Sequence, residues 1–487
     1  MAEWGFYGRA DELRDVMRIF DRRRWFFVNI MGRRRIGKTT LVNRALGLAA
    51  GRRPFYVEIP DSGDAGVLSA VADALDIFAI PESRFPRPHS MLDLAKLIEG
   101  LARDGYIVVL DEFQYFNRKP FAEFCSFLQA AVDRLGADAD RVIGGLIVLG
   151  SVHTEMSALL ENRSAPLYNR TTETLELRHL DIAAILAILR DHGDPSPERL
   201  LFLWSLFEGV PKFYRDCFER GVFGVGRHDL IRRMFFESSS PLRTEANNWF
   251  LRELRGRYDT VLKFVARHPG KMHGELIGAI QEVTENKTQI AAYLTALKDK
   301  YRLIERKMPV FAEPDARRGR YYLSDNFLQS WLGALSIPVG ARDFRPVDEL
   351  VASADDRLAT VEGFAFERLV GKLHEERGAK GLGDFPITSR ISGFWDRGGT
   401  EIDLVAVNEV DERIRFGSCK RSPGKLVADA NNLRMHVERF LQFSPKYRSW
   451  EIELAGFAPR LDAEARERLQ RNGITPLDLD DLTRNLI

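Results

Sequence analysis

Short apolar runs and longer amphipathic stretches alternate along the chain, and the alternation changes character twice. In the first part, Leu13, Val16, Met17 and Phe20 fall on one face of a predicted helix. The run Trp25-Phe26-Phe27-Val28-Asn29-Ile30 then reads as a buried strand, and residues 41–46 as the opening turns of a helix. Further strands are predicted at 55–59, 106–110 and 142–149, with helical stretches between them. Strands alternating with helices predict a parallel sheet covered on both faces, with ligands at the strands' carboxyl ends. Residues from 175 to 250 are helical in pattern and predict a lid over that end.

The second part begins near Tyr258. Helices are predicted at 258–266, closed by His268-Pro269-Gly270, then at 274–280 and 287–297, where Ile290, Tyr293, Leu294 and Leu297 make an inward stripe. Residues 303–306 and 320–323 can pair as a hairpin. Helix, helix, helix, hairpin is the winged variant of helix-turn-helix. The third part follows Pro338, Gly340, Pro346 and a polar stretch through Asp356, which together predict a linker. A helix at 363–370 and strands at 400–407 and 414–421 come next. The expected plan is α/β: a nucleotide domain with lid at 1–250, a winged helix at 251–335, a linker at 336–356 and a last α/β domain at 357–487.

Chemistry enters at Gly32-Arg33-Arg34-Arg35-Ile36-Gly37-Lys38-Thr39-Thr40, a P-loop pattern in the strand–loop–helix setting that gives it meaning. The glycines let backbone N–H groups turn inward around a phosphate chain, and the helix N-terminus adds favourable field. Lys38 is expected on the β- and γ-phosphates, and the Thr39 hydroxyl on Mg²⁺. The strand at 106–110 runs into Asp111-Glu112. Asp111 can hold the metal through water, and Glu112 can orient or deprotonate the attacking water. Ser151, after the strand ending at Gly150, is read either as a γ-phosphate sensor or as a plain turn serine.

Gly8-Arg9, the P-loop, Leu110-Asp111-Glu112-Phe113-Gln114, Gly150-Ser151, Pro166-Leu167-Tyr168-Asn169-Arg170 and Gly209-Val210-Pro211 occur in the order seen in the archaeal-type ATPase family. The chain resembles that family of STAND-like P-loop ATPases, which is similar to archaeal origin-recognition proteins. The resemblance implies ATP and Mg²⁺ as cofactors, Pro211 against the adenine, and Gly8-Arg9 near base and ribose. It also implies Arg170 as an arginine finger or sensor. Taken alone, Arg170 reads as a surface or loop-pairing arginine.

Composition narrows the setting. At 487 residues, with 45% hydrophobic and 29% charged residues, the chain is that of a globular protein too long for a single core. No apolar run approaches the roughly 20 residues of a membrane span, so no membrane partner is expected. Three scattered cysteines suggest neither a disulfide framework nor a zinc site, and a cytoplasmic setting is expected. A net charge of +1 carries no global nucleic-acid signal. Basic residues are concentrated locally around the predicted hairpin, where Lys287, Arg317, Arg318 and Arg320 are the candidate DNA contacts.

The last part resembles the domain that accompanies this ATPase family and looks like the PD-(D/E)XK nuclease fold. There a helical Glu, a strand Asp and a (D/E)-x-K strand converge on Mg²⁺. Glu367, Asp403 and Lys420 fit three places, while Ser418 stands where a second strand acid is expected. Glu401, on the same strand face as Asp403, and Glu438, on the following helix, are candidates for the missing charge. An active nuclease and a degenerate fold kept for binding both stay open. Two functions are expected from the whole: an ATP-driven switch acting on DNA, or a signalling ATPase that forms a homo-oligomer in its ATP state, its later domains serving as interaction surfaces.

Overall fold

The computed structural model describes residues 3–245, 258–281, 287–313 and 318–487. By internal contacts the chain forms two compact units. One comprises Arg9–His179 with Val210–Lys212; the other comprises Met1–Gly8, Leu180–Gly209 and Phe213–Ile487.

The first unit is a parallel α/β layer. Its strands are β1 (Phe26–Gly32), β2 (Arg53–Glu58), β3 (Tyr106–Asp111), β4 (Gly145–Gly150) and β5 (Glu173–Leu177), in the order β2-β3-β4-β1-β5. Neighbours pair in parallel, with Val28 opposite Ile147 and Val109 opposite Ile147 on the two sides of β4. All six residues of β3 are buried, as a central strand covered on both faces requires. Phe55, Val71, Leu94, Ile98, Val108 and Leu128 belong to the core on one side. The helix Met91–Arg103 starts at Ser90, whose hydroxyl accepts the Asp93 N–H at 3.1 Å. With β4 between β1 and β3, the P-loop, Asp111-Glu112 and Ser151 all leave the sheet at one edge.

The second unit holds two sheets. β6 (Lys271–Met272), β7 (Ile304–Lys307) and β8 (Arg320–Leu323) form an antiparallel sheet in the order β6-β8-β7. Its β7 and β8 follow the helices Asp259–Arg267, His273–Gln281 and Lys287–Thr295, with β6 between the first two helices. The other sheet, β13-β12-β11-β10-β9, contains β9 (Ser392–Trp395), β10 (Glu401–Asn408), β11 (Arg413–Cys419), β12 (Glu451–Ala458) and β13 (Thr475–Asp478). Its β9–β10–β11 pairs are antiparallel and its β11–β12–β13 pairs parallel. The helix Pro423–Phe443 packs Leu426, Leu433, Val437 and Phe440 on that sheet.

Two domain boundaries differ from the sequence reading. The expected linker at 336–356 is corrected: Ser336–Gly340 is helical, and one 33-residue helix, Val347–Ala379, begins inside the supposed linker. Leu350, Val351, Ala354 and Leu358 are buried along it, and the polar residues between them suggested a loop. Pro346 immediately precedes its first turn, where a missing N–H costs nothing. Residues 180–209 also leave the expected nucleotide domain and pack with the later chain. Glu376 accepts the Ile182 and Ala183 N–H groups at 2.7 and 3.1 Å, an anion placed at a helix N-terminus. Asn326 donates to the Trp204 carbonyl at 2.9 Å, and Ser330 to that of Ser205 at 2.8 Å.

Candidate functional site

The P-loop is shaped by two left-handed residues, Arg35 (φ 67°) and Gly37 (φ 94°), at the entrance of the helix Lys38–Leu48. A side chain is strained at such φ unless glycine takes the place. Ile36 between them is fully buried and anchors the loop. Lys38 is 7% exposed and donates to the Gly32 and Arg33 carbonyls at 2.8 and 3.2 Å. Burial pushes its ammonium down to about 8, against the pull of the Glu112 and Asp111 carboxylates. The Thr39 hydroxyl donates to Asp111 Oδ2 at 2.7 Å, so the two expected metal ligands meet. Arg34 and Thr40 are exposed; Arg33 lies 3.2 Å from the His179 ring nitrogen.

Asp111 is buried and more crowded than the motif alone suggests. The Tyr56 phenol donates to the same Oδ2 at 2.7 Å, and the Glu112 N–H donates to Oδ1 at 2.8 Å. Burial, and then that bond to Asp111, push the Tyr56 phenol far above the ordinary tyrosine range, so it stays a donor. Glu112 sits at φ 55°, an uncommon left-handed conformation for a glutamate and a form of strain found at functional sites. Ser151 donates to Glu112 Oε2 at 3.1 Å, and its N–H donates to Gln114 Oε1 at 3.2 Å. Gln114 also donates to Glu112. Ser151 is therefore no plain turn residue: with Gln114 it aims the Glu112 carboxylate. Tyr56 escaped sequence reasoning, and Gln114 was named there within its motif but given no role. The register that sets Glu58 beside Asp111 carries Tyr56 to this edge, but no local pattern in β2 announces it.

Arg9 and Pro211 come to this unit from outside the strand–loop–helix. Arg9 donates to the Ile36 carbonyl at 3.2 Å and to that of Arg178, and pairs with Glu12 at 2.9 Å. A Cβ on Gly37 would lie 3.9 Å from the Pro211 ring, which places Pro211 beside the P-loop. Gly8 belongs to the other unit, where at φ 61° it packs so closely that a Cβ would meet Leu180 at 2.9 Å. Arg170 is corrected. It precedes β5 at the amino end of the strands, while the P-loop leaves β1 at the carboxyl end. Thr172 N–H bonds the Phe27 carbonyl, and Phe27 is five residues from Gly32. At about 3.3 Å per residue that is roughly 17 Å of strand. Arg170 instead forms a two-pronged ion pair with Asp133, at 2.8 and 3.1 Å. It is no finger on its own chain's P-loop.

In the second unit, β10 carries Asp403 beside the end of β11. Asp403 Oδ2 accepts from the Cys419 N–H and from Lys420 Nζ, both at 2.8 Å. Burial alone would lower the Lys420 ammonium, but Asp403 and then Asp429 outweigh it and hold it above the ordinary lysine range. Asp429, on the helix Pro423–Phe443, is the residue that sequence reasoning missed. Ser418 donates to its Oδ2 at 2.7 Å, and Lys420 Nζ lies 3.5 Å from the same oxygen. The carboxylate absent at Ser418 is thus supplied through Ser418 from the next helix. The sequence pointed to Glu438 on the same helix, which is nine residues, or two and a half turns, further on. One signal existed: Asp429 lies in the second turn of the helix that β11 feeds.

Glu367 stands on the Val347–Ala379 helix and lines a cavity of about 550 Å³ with Glu401 and Asp403. It is open to the cavity yet enclosed by protein. Burial, and then Asp403, push its carboxyl up to about 8. Glu401 is corrected as a partner of Asp403, because Arg320 holds its carboxylate at 2.6 Å. The same pair corrects Arg320 as an outward DNA contact: its side chain is 18% exposed and lies 4.7 Å over the Trp395 ring. Arg318 gives its carbonyl to the Trp395 indole N–H at 2.7 Å. Arg317 lies outside the described residues, as does the side chain of Lys287.

Donor chemistry at both places fits a hard cation. Thr39 and Asp111 offer a hydroxyl and a carboxylate, and Mg²⁺ is commonly held by one or two such groups with water. Glu367, Asp403 and Asp429 offer carboxylates, but their ligand atoms do not all come within 4.8 Å of one another. One ion would take two of them and complete its shell with water.

Residues 341–430 match a family described as archaea bacterial proteins of unknown function. An uncharacterised protein of Methanocaldococcus jannaschii is 24% identical over 434 residues, covering 85% of this chain and 87% of its own length. Among solved structures, the Walker-type ATPase of Pyrococcus abyssi superposes with a TM-score of 0.50 at 18% identity, over 67% of this chain and 96% of that one. The Aeropyrum pernix ORC2 protein reaches 0.46 at 16% identity, over 74% and 97%. The Pyrococcus likeness agrees with the parallel sheet: the first unit has the fold of P-loop ATPases. No described helix is long and apolar enough to cross a membrane.

Proposed function

We propose that this chain is an ATPase whose nucleotide state governs a phosphodiesterase site acting on nucleic acid. The ATPase half rests above all on the Thr39–Asp111 contact at 2.7 Å beside a buried Lys38. Lys38 would bind phosphate oxygens, and Thr39 and Asp111 would hold the metal. When bound, Mg²⁺ would supply neutralisation of phosphate charge. Glu112 accepts a hydrogen bond from the attacking water, and Ser151 and Gln114 fix the direction in which it does so.

The phosphodiesterase half rests on Asp403, Lys420 and Asp429, joined within 3.5 Å. Lys420, held charged by both carboxylates, steadies the scissile phosphate. Water adds to phosphorus and gives up one proton to solvent, one P–O bond to sugar breaks, and the departing oxygen takes a proton from solvent. Asp403 and one neighbouring carboxylate would hold a metal, which would supply Lewis acidity there. The winged-helix reading of the helices before β7 is kept as part of this proposal, serving nucleic acid through the hairpin's inner side.

Incubating linear, single-stranded and branched DNA with the protein, ATP and Mg²⁺ tests it, comparing wild type with Asp403→Ala. The expected result is cleavage that disappears in Asp403→Ala while ATP turnover continues. Cleavage undiminished in that variant, or DNA neither bound nor cut by wild type, would remove the phosphodiesterase half. The latter outcome would favour an ATPase that signals through assembly.

A further inference from the structure

The cavity beside Asp403 has walls of two origins. Glu367, Glu401 and Asp403 come from the nuclease-like part, while Lys307 and Tyr322 come from the β7–β8 hairpin. The hairpin is fastened to the larger sheet. Val310 N–H donates to the Gly393 carbonyl at 2.9 Å, and Ser392 Oγ to that of Met308 at 3.1 Å. Past β7, Phe311 stacks on Tyr447 with centroids 4.6 Å apart. These bonds continue the pairing beyond β9, the edge strand, and cover an edge that would otherwise be open. The segment after β7 is therefore fixed against the larger sheet.

Lys307 is one of two cations on the hairpin wall, and the other, Arg320, is paired with Glu401. The Lys307 amine lies 5.1 Å over the Tyr322 ring and 3.2 Å from Glu305. About 37% of the side chain is accessible, within a recess where desolvation lowers its ammonium and Glu367 is close enough to act on it electrostatically. A cavity of about 550 Å³ is the size of a small-ligand site, roughly 300–1,000 Å³. Lys307 of the hairpin lines the same cavity as Glu367 and Asp403, and an ammonium beside two carboxylates suits a phosphodiester that arrives with a divalent cation.

We propose that the hairpin and the carboxylates form one pocket for the terminal nucleotide of a nucleic-acid strand, in which Lys307 binds the phosphate nearest Asp403. This deepens the phosphodiesterase reading and rests on it. A continuous duplex or closed circle has no terminus to pass the hairpin wall, so the pocket selects strand ends.

The test is competition binding by the full chain in Ca²⁺, with a short internally labelled DNA strand as probe. Competitors are the same strand in linear form and ligated into a circle. The linear strand is expected to compete at least tenfold better than the circle. Lys307→Gln should weaken binding of the linear probe about tenfold, the value of one charge-assisted hydrogen bond, and Lys307→Arg should restore most of it. Equal competition by the circle overturns the proposal and leaves the phosphodiesterase reading standing, as does a Lys307→Gln variant that binds like wild type. Absence of any binding to the probe overturns both.

Discussion

The nucleotide site and the carboxylate site each gather acidic oxygens around a lysine, but they draw on the chain in opposite ways. Lys38 and Thr39 are adjacent, Asp111 and Glu112 are adjacent, and Ser151 ends the strand between β1 and β3. Every one of these sits at the carboxyl end of a parallel strand, so sheet order alone brings them together. The second site takes Glu367 from a long helix, Asp403 and Lys420 from antiparallel neighbours, and Asp429 from the helix that follows. There no single ladder fixes the spacing, and an acid can move from strand to helix while its oxygen stays in place. A motif is readable where topology forces it; where several elements contribute, only the geometry is kept.

The largest expected effect separates roles within the nucleotide site. Lys38→Ala removes the ammonium aimed at phosphates, and ATP affinity should fall by more than roughly 100-fold, measured by calorimetry. Glu112→Gln keeps the shape and the contacts to Ser151 and Gln114. It should bind ATP within a few-fold of wild type while turnover drops by roughly 10²–10⁴-fold. A Glu112→Gln protein that hydrolyses ATP at the wild-type rate would take from Glu112 the role its strained backbone and three hydrogen bonds suggest.

An intermediate effect is expected at the carboxylate site, where the comparison can be sharpened by moving the acid back. Asp429→Ala deprives Ser418 and Lys420 of a partner, and Asp403-dependent cleavage should fall about 10–100-fold, as for supporting ligands generally. In the double variant Ser418→Asp, Asp429→Ser the carboxylate returns to the strand, and a substantial part of that loss should be recovered. Recovery would show that oxygen position, not chain position, is what the site requires. No loss in Asp429→Ala would reduce the site to Glu367, Asp403 and Lys420.

The same contrast explains how much was legible beforehand. The P-loop, Asp111-Glu112 and the strands that carry them follow from apolar runs interrupted by glycine and acid, and they lie where the pattern puts them. Glu367, Asp403 and Lys420 were also legible as candidates, because they match three places of the nuclease fold that the last part of the chain resembles. Asp429 was not: it lies on a helix with ordinary polar neighbours, and only the Ser418 hydroxyl tells it apart. Arg170 and Glu401 misled for a related reason. Sequence order gave them roles, whereas Asp133 and Arg320, distant in sequence, occupy their charged groups. The linker misled through polarity, since a helix with one buried stripe looks like a loop when its exposed faces are acidic.

The smallest expected effect concerns support of the carboxylate site rather than its chemistry. His374 lies seven residues beyond Glu367 on the same helix and is 5% exposed. It bonds the Val370 carbonyl through Nδ1 at 2.9 Å and meets the Phe457 ring edge-on at 5.2 Å. Burial lowers its pKa below the ordinary histidine value, the Val370 bond opposes this, and Arg415 and Arg377 add to the lowering while Asp384 works against it. The folded state therefore favours neutral imidazole, whereas the unfolded chain takes up a proton near pH 6.5. Between the two pKa values the unfolded state binds more protons, so stability rises with pH in that window. The contribution is complete above about pH 6.5 and is lost as pH falls through the folded-state value. Denaturant melts followed through unfolding of the second unit should show a midpoint that declines on acidification below pH 6.5, and His374→Gln should flatten that decline. An unchanged slope in the variant would mean that the helix bearing Glu367 is held against acid by other groups.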